Sequence, residues 1–490
     1  MIRTLVRWLL FVIGSALLGV VLVGTVGFAI FMRQGPAPER WHLQALPDFT
    51  AAQAGQVTTL DDYLALEQRL FAALDQQVYL PPDRQADLFN RYRRGSRSDP
   101  ETWPTNWNRS FRLAPAGGGE ARGTVLLLHG LTDSPYSLRS VGQHLAARGW
   151  EVFGLRLPGH GTAPSGLVHF RVEDMRAAVQ LAMRDLQRHA PPGRPLLMIG
   201  YSNGAALALD YTVAAIRGAE QPLPAGLVLI SPAIAITPAA AVGRLRTGLS
   251  SVPGFERAAW QQIVKEFDPY KYNSFSFNAS GQTHRLTRGV VTDLGQLAGS
   301  AGGRIRGFPP VLVFLSTVDS TVDAGAVPDL LLNRLAPGGH ELVLFDVNRH
   351  SAMRSLLVGD PGALTVRLLA RSDRPYGLTV IGNLTPQTQQ VGERRAAAGG
   401  TQFADRPLEL AWPRAVFSLS HVALPFPPDD PLYGIDAAPA GHVQLGRLDV
   451  RGENGVLAIP GWALTRLRSN PFHAYLLERI DGFVDAVAAR

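Results

Sequence analysis

Between Gly123 and Ile230 short apolar runs alternate with longer stretches of helical period, and this alternation narrows the possible folds more than any other feature of the chain. Thr124-Val-Leu-Leu-Leu128, Glu151-Val-Phe-Gly-Leu155, Pro195-Leu-Leu-Met-Ile199 and Gly226-Leu-Val-Leu-Ile230 read as buried strands. Ser137–Arg148, Val172–His189 and Ala205–Ile216 carry helical spacing between them. Strands that are apolar at nearly every position need cover on both faces, so the expected order is βαβαβαβ in a doubly wound, mostly parallel sheet. A composition of 46% hydrophobic and 18% charged residues over 490 positions suits such a core and argues against a disordered or fibrous chain.

At one strand-to-helix junction stands Gly200-Tyr201-Ser202-Asn203-Gly204. A serine held on a sharp turn between strand and helix needs neighbours without side chains, since otherwise the two elements could not approach so closely. G-x-S-x-G occurs by chance, and the flanking strand, the helix and the Ala205-Ala206 pair give it meaning here. Ser202 is therefore the expected nucleophile. A serine hydroxyl is a poor one, so the chemistry also needs a base, a carboxylate to orient the base, and donors for a developing oxyanion. His129-Gly130-Leu131-Thr132 ends the first strand, and the backbone amides of Leu131 and Asn203 are the expected oxyanion hole. His129 itself reads as a histidine that shapes the loop, as does His160 in Gly159-His160-Gly161.

For the acid, Pro310-Val-Leu-Val-Phe-Leu315 runs into Ser316-Thr-Val-Asp319, which puts Asp319 at the carboxyl end of a strand, where sites of such sheets collect. Asp323 is the rival, but it precedes Ala324–Leu335, where an N-capping aspartate is expected. Two histidines then preserve the order Ser, Asp, His. His350 follows the strand Glu341–Val347 at a modest distance from the acid, yet Arg349 and Arg354 flank it and would oppose an imidazolium. His421 follows Ala415–Leu419, read as a further strand, and sits in the apolar turn Val422–Phe426 ahead of a terminal helix, Asn470–Ala488. A semi-buried site suits a base held by a carboxylate, so His421 is preferred and His350 stands as the alternative.

From Trp8 to Met32 no residue is charged, a length that at about 1.5 Å per residue crosses the roughly 30 Å core of a bilayer. Arg3 and Arg7 precede it and Arg33 follows, so the positive-inside rule favours a cytoplasmic N-terminus with the remainder extracytoplasmic. A cleaved signal peptide is the rival, but the run exceeds the usual apolar core of such signals and no A-x-A site ends it. Residues 1–34 are thus expected to form a single-pass membrane anchor. Residues 35–112 are expected to hold a linker, around Gln34–Pro38, and a docking helix at Leu60–Val78 with the stripe Tyr63, Leu64, Leu66, Leu70, Phe71 and Leu74. Residues 113–490 are expected to be the catalytic domain. The strand pattern stops between Ile234 and Arg304, where Phe255, Trp260, Phe267, Tyr270, Tyr272, Phe275 and Phe277 cluster, so an inserted cap is expected at about 235–305.

The net charge of +7 is carried almost wholly by arginine, without a long basic run or zinc-finger spacing, and no nucleic-acid partner is expected. Zero cysteines remove disulfides, thiolate metal sites and cysteine nucleophiles. No H-E-x-x-H or P-loop pattern occurs, so neither metal nor nucleotide chemistry is expected.

The segments His129-Gly-Leu-Thr-Asp-Ser134, Leu157-Pro-Gly-His-Gly161 and Gly200-Tyr-Ser-Asn-Gly204 together resemble the α/β-hydrolase superfamily, in its branch of monoglyceride lipases, lysophospholipases and bacterial carboxylesterases. The resemblance runs from about Arg112 to Asp323. It implies a Ser-Asp-His triad, no cofactor, and substrates bearing an acyl group. Such hydrolases place the histidine soon after the acid, so a base at His421 requires an inserted segment. The function expected from residues and resemblance together is that of a membrane-anchored serine hydrolase of acyl esters, with the anchor favouring lipid-like substrates. Peptidase or amidase action on the same triad and an inactive membrane-tethered scaffold are the alternatives.

Overall fold

In the computed structural model, the described residues are 2–33, 36–83, 87–235, 256–319, 321–350, 362–414, 416–435, 441–446 and 466–490. The apolar runs become β2 (Thr124–Leu128), β3 (Glu151–Leu155), β4 (Leu196–Tyr201) and β5 (Gly226–Ile230), preceded by a short edge strand β1 (Phe111–Leu113). A two-stranded ribbon, β6 (Trp260–Gln262) with β7 (Phe275–Ser276), lies outside the main sheet. Then come β8 (Val311–Ser316), β9 (Glu341–Phe345), β10 (Gly377–Asn383), β11 (Gln390–Ala396) and β12 (Ala404–Ala411). Among the described residues the main sheet has ten strands in the order β1-β3-β2-β4-β5-β8-β9-β10-β11-β12, and the run from β3 to β10 is parallel throughout.

Successive side chains of a strand point to opposite faces, and both faces here are buried. Leu196 and Met198 of β4 join one core with the helices Val172–His189, Asn203–Ile216 and Phe277–Ser300, whereas Leu197, Ile199 and Tyr201 join another with Arg139–Ala147 and His473–Ala488. The register aligns the carboxyl ends of the central strands, pairing Leu128 with Gly200, Tyr201 with Ile230, Ile230 with Phe314 and Ser316 with Phe345. The loops after β2, β4 and β8 therefore open onto one rim.

Three features depart from the sequence reading. First, β10, β11 and β12 widen the sheet after β9. β11 and β12 lack an apolar run because they pair antiparallel at one side of the sheet and carry cross-strand ion pairs on both faces, Arg394 with Asp405 at 2.8 Å and Arg406 with Glu393 at 2.9 Å. Second, residues 416–419 form no strand. Their carbonyls go to side chains and loop amides instead of a ladder: Val416 accepts from Asn348 Nδ2 at 2.9 Å, Phe417 from the Asn348 amide at 2.7 Å, and Leu419 from Ser316 Oγ at 2.9 Å. Ala415, Arg354 and Phe255 lie outside the described residues. Third, only part of the segment expected as a cap can be one. Phe277–Ser300 is a 24-residue helix packed on Asn203–Ile216 in the layer that covers the sheet, which leaves Glu256–Ser276 and its ribbon as the inserted portion among the described residues.

The docking region is tied into the domain more deeply than a linker would be. Thr59 caps the Leu60–Gln77 helix by accepting from the Asp62 amide, and Tyr63 and Leu66 enter the main core with Phe49 and Val57. Glu67, on the same buried face, accepts from Arg156 Nε at 3.0 Å, and Asp48 takes the other edge of that guanidinium at 2.7 and 3.0 Å. Arg156 follows β3 and is fully buried, so this paired charge fastens residues from 48 to 67 to the loop beyond the strand. The Ile2–Arg33 helix, by contrast, leaves every described side chain from Val6 to Gly24 exposed, and that stretch is long and apolar enough to cross a membrane.

Candidate active site

The turn from β4 into the Asn203–Ile216 helix leaves no room for a side chain at the positions two residues either side of the serine. A Cβ at Gly200 would lie 2.5 Å from the Ala205 backbone, and one at Gly204 would lie 2.0 Å from the Leu128 carbonyl oxygen. Ser202 adopts φ 53° and ψ −113°, a conformation that costs a non-glycine residue about 1–3 kcal/mol and persists only where neighbours over-determine it. They do so here. The Ser202 amide donates to the Ile230 carbonyl at 2.9 Å, and its own carbonyl accepts from Ala205, Ala206 and Ala233 at 3.1, 3.2 and 3.2 Å. The side chain is thereby held off the sheet at the rim and retains 8% exposure.

His421 begins a short 3₁₀ turn, His421–Ala423, and its ring meets both other members of the expected triad. Nε2 lies 2.9 Å from Ser202 Oγ, and Nδ1 lies 2.7 Å from Asp319 Oδ2. Because a carboxylate accepts, Nδ1 carries the proton, and Nε2 of the neutral ring is free to accept from the serine hydroxyl. The remaining Asp319 oxygen, Oδ1, accepts from the Thr321 and Val322 amides at 2.8 and 3.0 Å, which fixes the carboxylate plane. The histidine is positioned from behind as well, since Tyr201 OH donates to the His421 carbonyl at 3.3 Å and the two rings lie 5.4 Å apart.

The other candidates take different places. His350 is exposed in the turn after β9, where its amide donates to Asn348 Oδ1 at 3.2 Å. Its neighbour Arg349 is paired with Asp346 at 2.7 Å, so that cation bears on the imidazole less than the sequence implies. Asp323 accepts from the Gly325 amide at 2.8 Å ahead of the Ala326–Leu330 helix, a turn-capping role. His129 is buried between loop backbones: its Nε2 accepts from the Leu157 amide at 3.0 Å and its Nδ1 donates to the Gly130 carbonyl at 2.9 Å. Burial, with His160 close by, holds it well below the ordinary imidazole range. His160 donates to the Pro158 carbonyl at 2.9 Å, and burial pushes it down to about 4. Both rings hold loops and remain neutral.

The Leu131 and Asn203 amides have no acceptor among the described residues, and Leu131 follows the strand end that Gly204 touches. Thr132, next in the chain, has φ 65°, and its carbonyl accepts from the Tyr272 amide at 2.8 Å. Of the aromatics between Ile234 and Arg304, Trp260, Phe267, Tyr270 and Tyr272 are buried in packing, and Tyr272 OH also accepts from the Thr162 amide at 2.7 Å. Among the described residues no group of His, Asp or Glu side chains is placed to hold a metal ion.

A strand order of this kind, a strained serine between glycines at a strand-to-helix turn, and a match of residues 119–355 to the family model described as "Serine aminopeptidase, S33" agree with one another. This chain carries an α/β-hydrolase domain. The matched span is just under half of the 490 residues. No curated protein matches the chain. Among solved structures, it is similar to a metagenome-derived lipolytic enzyme of the LipS and LipT study, at 22% identity over 54% of this chain and 96% of that one, with a TM-score of 0.36. It is also similar to a soluble variant of monoglyceride lipase from Saccharomyces cerevisiae, at 17% identity over 48% of this chain and 82% of that one, with a TM-score of 0.37. A monoacylglycerol lipase from Paleococcus ferrophilus gives 17% identity over 48% and 88%, with a TM-score of 0.36.

Sequence reasoning passed over several contributors to this rim. Tyr201 was visible only as the variable position of the motif, although its ring backs the histidine. Lys271 pairs with Asp133 at 2.8 Å across 138 residues, and nothing local to either marks the pairing. Arg466 and Arg468 line the same cleft as those two residues from a segment with no motif at all.

Proposed function

We propose that this protein is a membrane-anchored serine esterase in which Ser202, His421 and Asp319 form the catalytic triad and the Leu131 and Asn203 amides form the oxyanion hole. The observation that carries the reading is the unbroken hydrogen-bond chain from Ser202 Oγ through His421 to Asp319, at 2.9 and 2.7 Å. Both distances fall within the reach that proton transfer needs.

In this reading His421 Nε2 takes the proton of Ser202 as Oγ attacks the ester carbonyl carbon. The carbonyl oxygen gains the negative charge, which the two amides stabilise by amounts that grow as charge develops. The Cacyl–Oalkyl bond then breaks, and the imidazolium gives its proton to the departing alkoxide. Water, deprotonated by the same imidazole, attacks the acyl-enzyme; the acid leaves, and Ser202 recovers its proton. Asp319 keeps Nδ1 protonated and stabilises the imidazolium without itself taking a proton. The Ile2–Arg33 helix serves as a single-pass anchor with its N-terminus in the cytoplasm, so the catalytic domain, residues 113–490, meets substrates at an extracytoplasmic lipid surface.

A second reading is peptidase or amidase action on the same residues, and the description of the matching family model favours keeping it. Matched ester and amide substrates with one acyl group, assayed on the full chain in detergent, separate the two. The ester reading expects kcat/KM for the ester to exceed that for the amide by more than intrinsic reactivity explains, and Ser202→Ala to abolish both turnover and fluorophosphonate labelling. Faster turnover of the amide would transfer the assignment to peptidase chemistry, and unimpaired Ser202→Ala would end it.

A further inference from the structure

The loop that brings the Leu131 amide to the rim, residues 129–134, lies between β2 and the Pro135–Leu138 turn and contains no helix or strand. Its internal backbone bond, from the Asp133 amide to the Gly130 carbonyl, is long at 3.3 Å. Thr132 takes φ 65°, a left-handed conformation that a β-branched residue keeps only where its surroundings impose it. The constraint must come from outside the loop.

Three consecutive residues of the inserted segment supply it. The Tyr272 amide donates to the Thr132 carbonyl at 2.8 Å, Lys271 Nζ donates to Asp133 Oδ1 at 2.8 Å, and the Tyr270 ring stacks on Tyr136 with centroids 4.1 Å and planes 6° apart. The grip is itself anchored, because the fully buried Asp268 accepts from the Tyr270 and Lys271 amides at 3.0 and 3.1 Å and from Tyr433 OH at 2.6 Å. Of these contacts, the ion pair bears most on the chemistry. Lys271 and Asp133 line a cleft together with Tyr201 and Val422, the chain neighbours of Ser202 and His421. The carboxylate folds back over its own loop, since a Cβ on Gly130 would lie 2.6 Å from Asp133 Oδ2. The Asp133 side chain retains 6% exposure and that of Lys271 23%. Left unpaired, a carboxylate so buried would oppose an oxyanion forming at the Leu131 amide.

We propose that Lys271 is a positioning residue: by holding and neutralising Asp133, it keeps residues 129–134 in the arrangement that aims the Leu131 amide at the oxyanion. The inserted segment thereby sets the rate of the chemical step through the loop. This role rests on the reading of Ser202 and Leu131 given above. It is tested on the full chain in neutral detergent with a 4-nitrophenyl ester and two ketones bearing the same acyl chain. Ser202 Oγ adds to the trifluoromethyl ketone and leaves a negative oxygen in the hole, whereas the methyl ketone binds without adding. The ratio of the two inhibition constants is read per folded site, so it does not depend on how much of a variant folds.

Lys271→Met should lower kcat by about thirtyfold or more with KM changed less than about threefold, and should weaken the trifluoromethyl ketone by a similar factor while sparing the methyl ketone. Adding Asp133→Asn removes the stranded charge and should recover about threefold or more in kcat and in the ketone ratio, still short of wild type. That double variant, with no unpaired charge, carries the test where Lys271→Met folds poorly, and Lys271→Arg should retain most of the wild-type rate. Wild-type kcat in Lys271→Met, a loss confined to KM, equal losses for both ketones, or no recovery in the double variant overturns the positioning role while leaving the esterase standing. Absence of turnover together with no fluorophosphonate label on Ser202 of the wild-type protein overturns the triad reading and this role with it.

Discussion

Gly204→Ala adds one methyl group and is expected to disable the proposed nucleophile from inside its turn. The new Cβ would stand 2.0 Å from the Leu128 carbonyl oxygen, 2.4 Å from the Leu128 carbonyl carbon and 2.6 Å from the His129 carbonyl oxygen. Close C···O contacts in proteins begin near 3.3 Å, so strand end and helix start must separate by more than about 1 Å. Neither yields easily, because β2 is paired on both sides and the helix start carries the fully buried Asn203, Gly204's neighbour. Forcing a methyl into such a contact costs on the order of 1–3 kcal/mol. The separation also moves the Leu131 and Asn203 amides apart, and a misplacement of about 1 Å is enough to lose roughly 10²-fold in rate. The expected result is a kcat on a 4-nitrophenyl ester reduced about 100-fold or more, with a melting temperature several degrees lower. Gly281→Ala is the matched control. Nothing lies within 4 Å of its added Cβ, and it sits inside the Phe277–Ser300 helix, so stability should rise by about 0.5–1 kcal/mol with turnover unchanged. Wild-type melting and turnover in Gly204→Ala would refute the close approach of helix to strand, and with it the reason that Ser202 projects at the rim.

Three further outcomes follow from the same geometry. His421→Ala should lower kcat by about 10⁴-fold or more, whereas His350→Ala should change it less than about threefold; equal losses in steady-state ester hydrolysis would contradict the assignment of the base. His129 and His160 are buried neutral and hold fewer protons folded than unfolded, so their contribution to stability is whole above about pH 6.5 and is lost as pH falls. For His160, which is pushed from 6.5 to about 4, the loss is about 3 kcal/mol, and urea titrations between pH 7.5 and 4 should show a shallower slope in His160→Asn. Arg156→Met strands Asp48 and Glu67 and should destabilise by about 3–5 kcal/mol, and a double-mutant cycle with Glu67→Leu should return a coupling of at least about 1 kcal/mol in urea unfolding; strict additivity would show that the pair is not closed.

The parallel strands were legible because a strand covered on both faces is apolar at consecutive positions, as in Thr124–Leu128, and no distant information is needed to see that. The serine turn was legible for a related reason. Its glycines sit two residues either side of Ser202, and the clashes they avoid involve the strand and helix on which they lie or the strand alongside. The last two strands of the sheet, β11 and β12, escaped notice because many of their residues face water or pair charge with charge, which erases the apolar signature. Glu67 carries no local mark of its burial, because its buried partner Arg156 lies 89 residues away.

What the sequence determined by itself is therefore whatever depends on neighbours along the chain: the sheet, its covering helices, the turn that lifts Ser202, and the apolar N-terminal helix. Which histidine stands beside Ser202 was decided only in three dimensions. His421 lies 219 residues from that serine and 102 from Asp319, and it arrives there because the loop before it hangs on Ser316 and Asn348 at the ends of β8 and β9. Hydrogen bonds of that kind join segments whose local patterns carry no trace of each other. The same holds for the cleft beside the triad, whose lining residues come from segments remote in sequence.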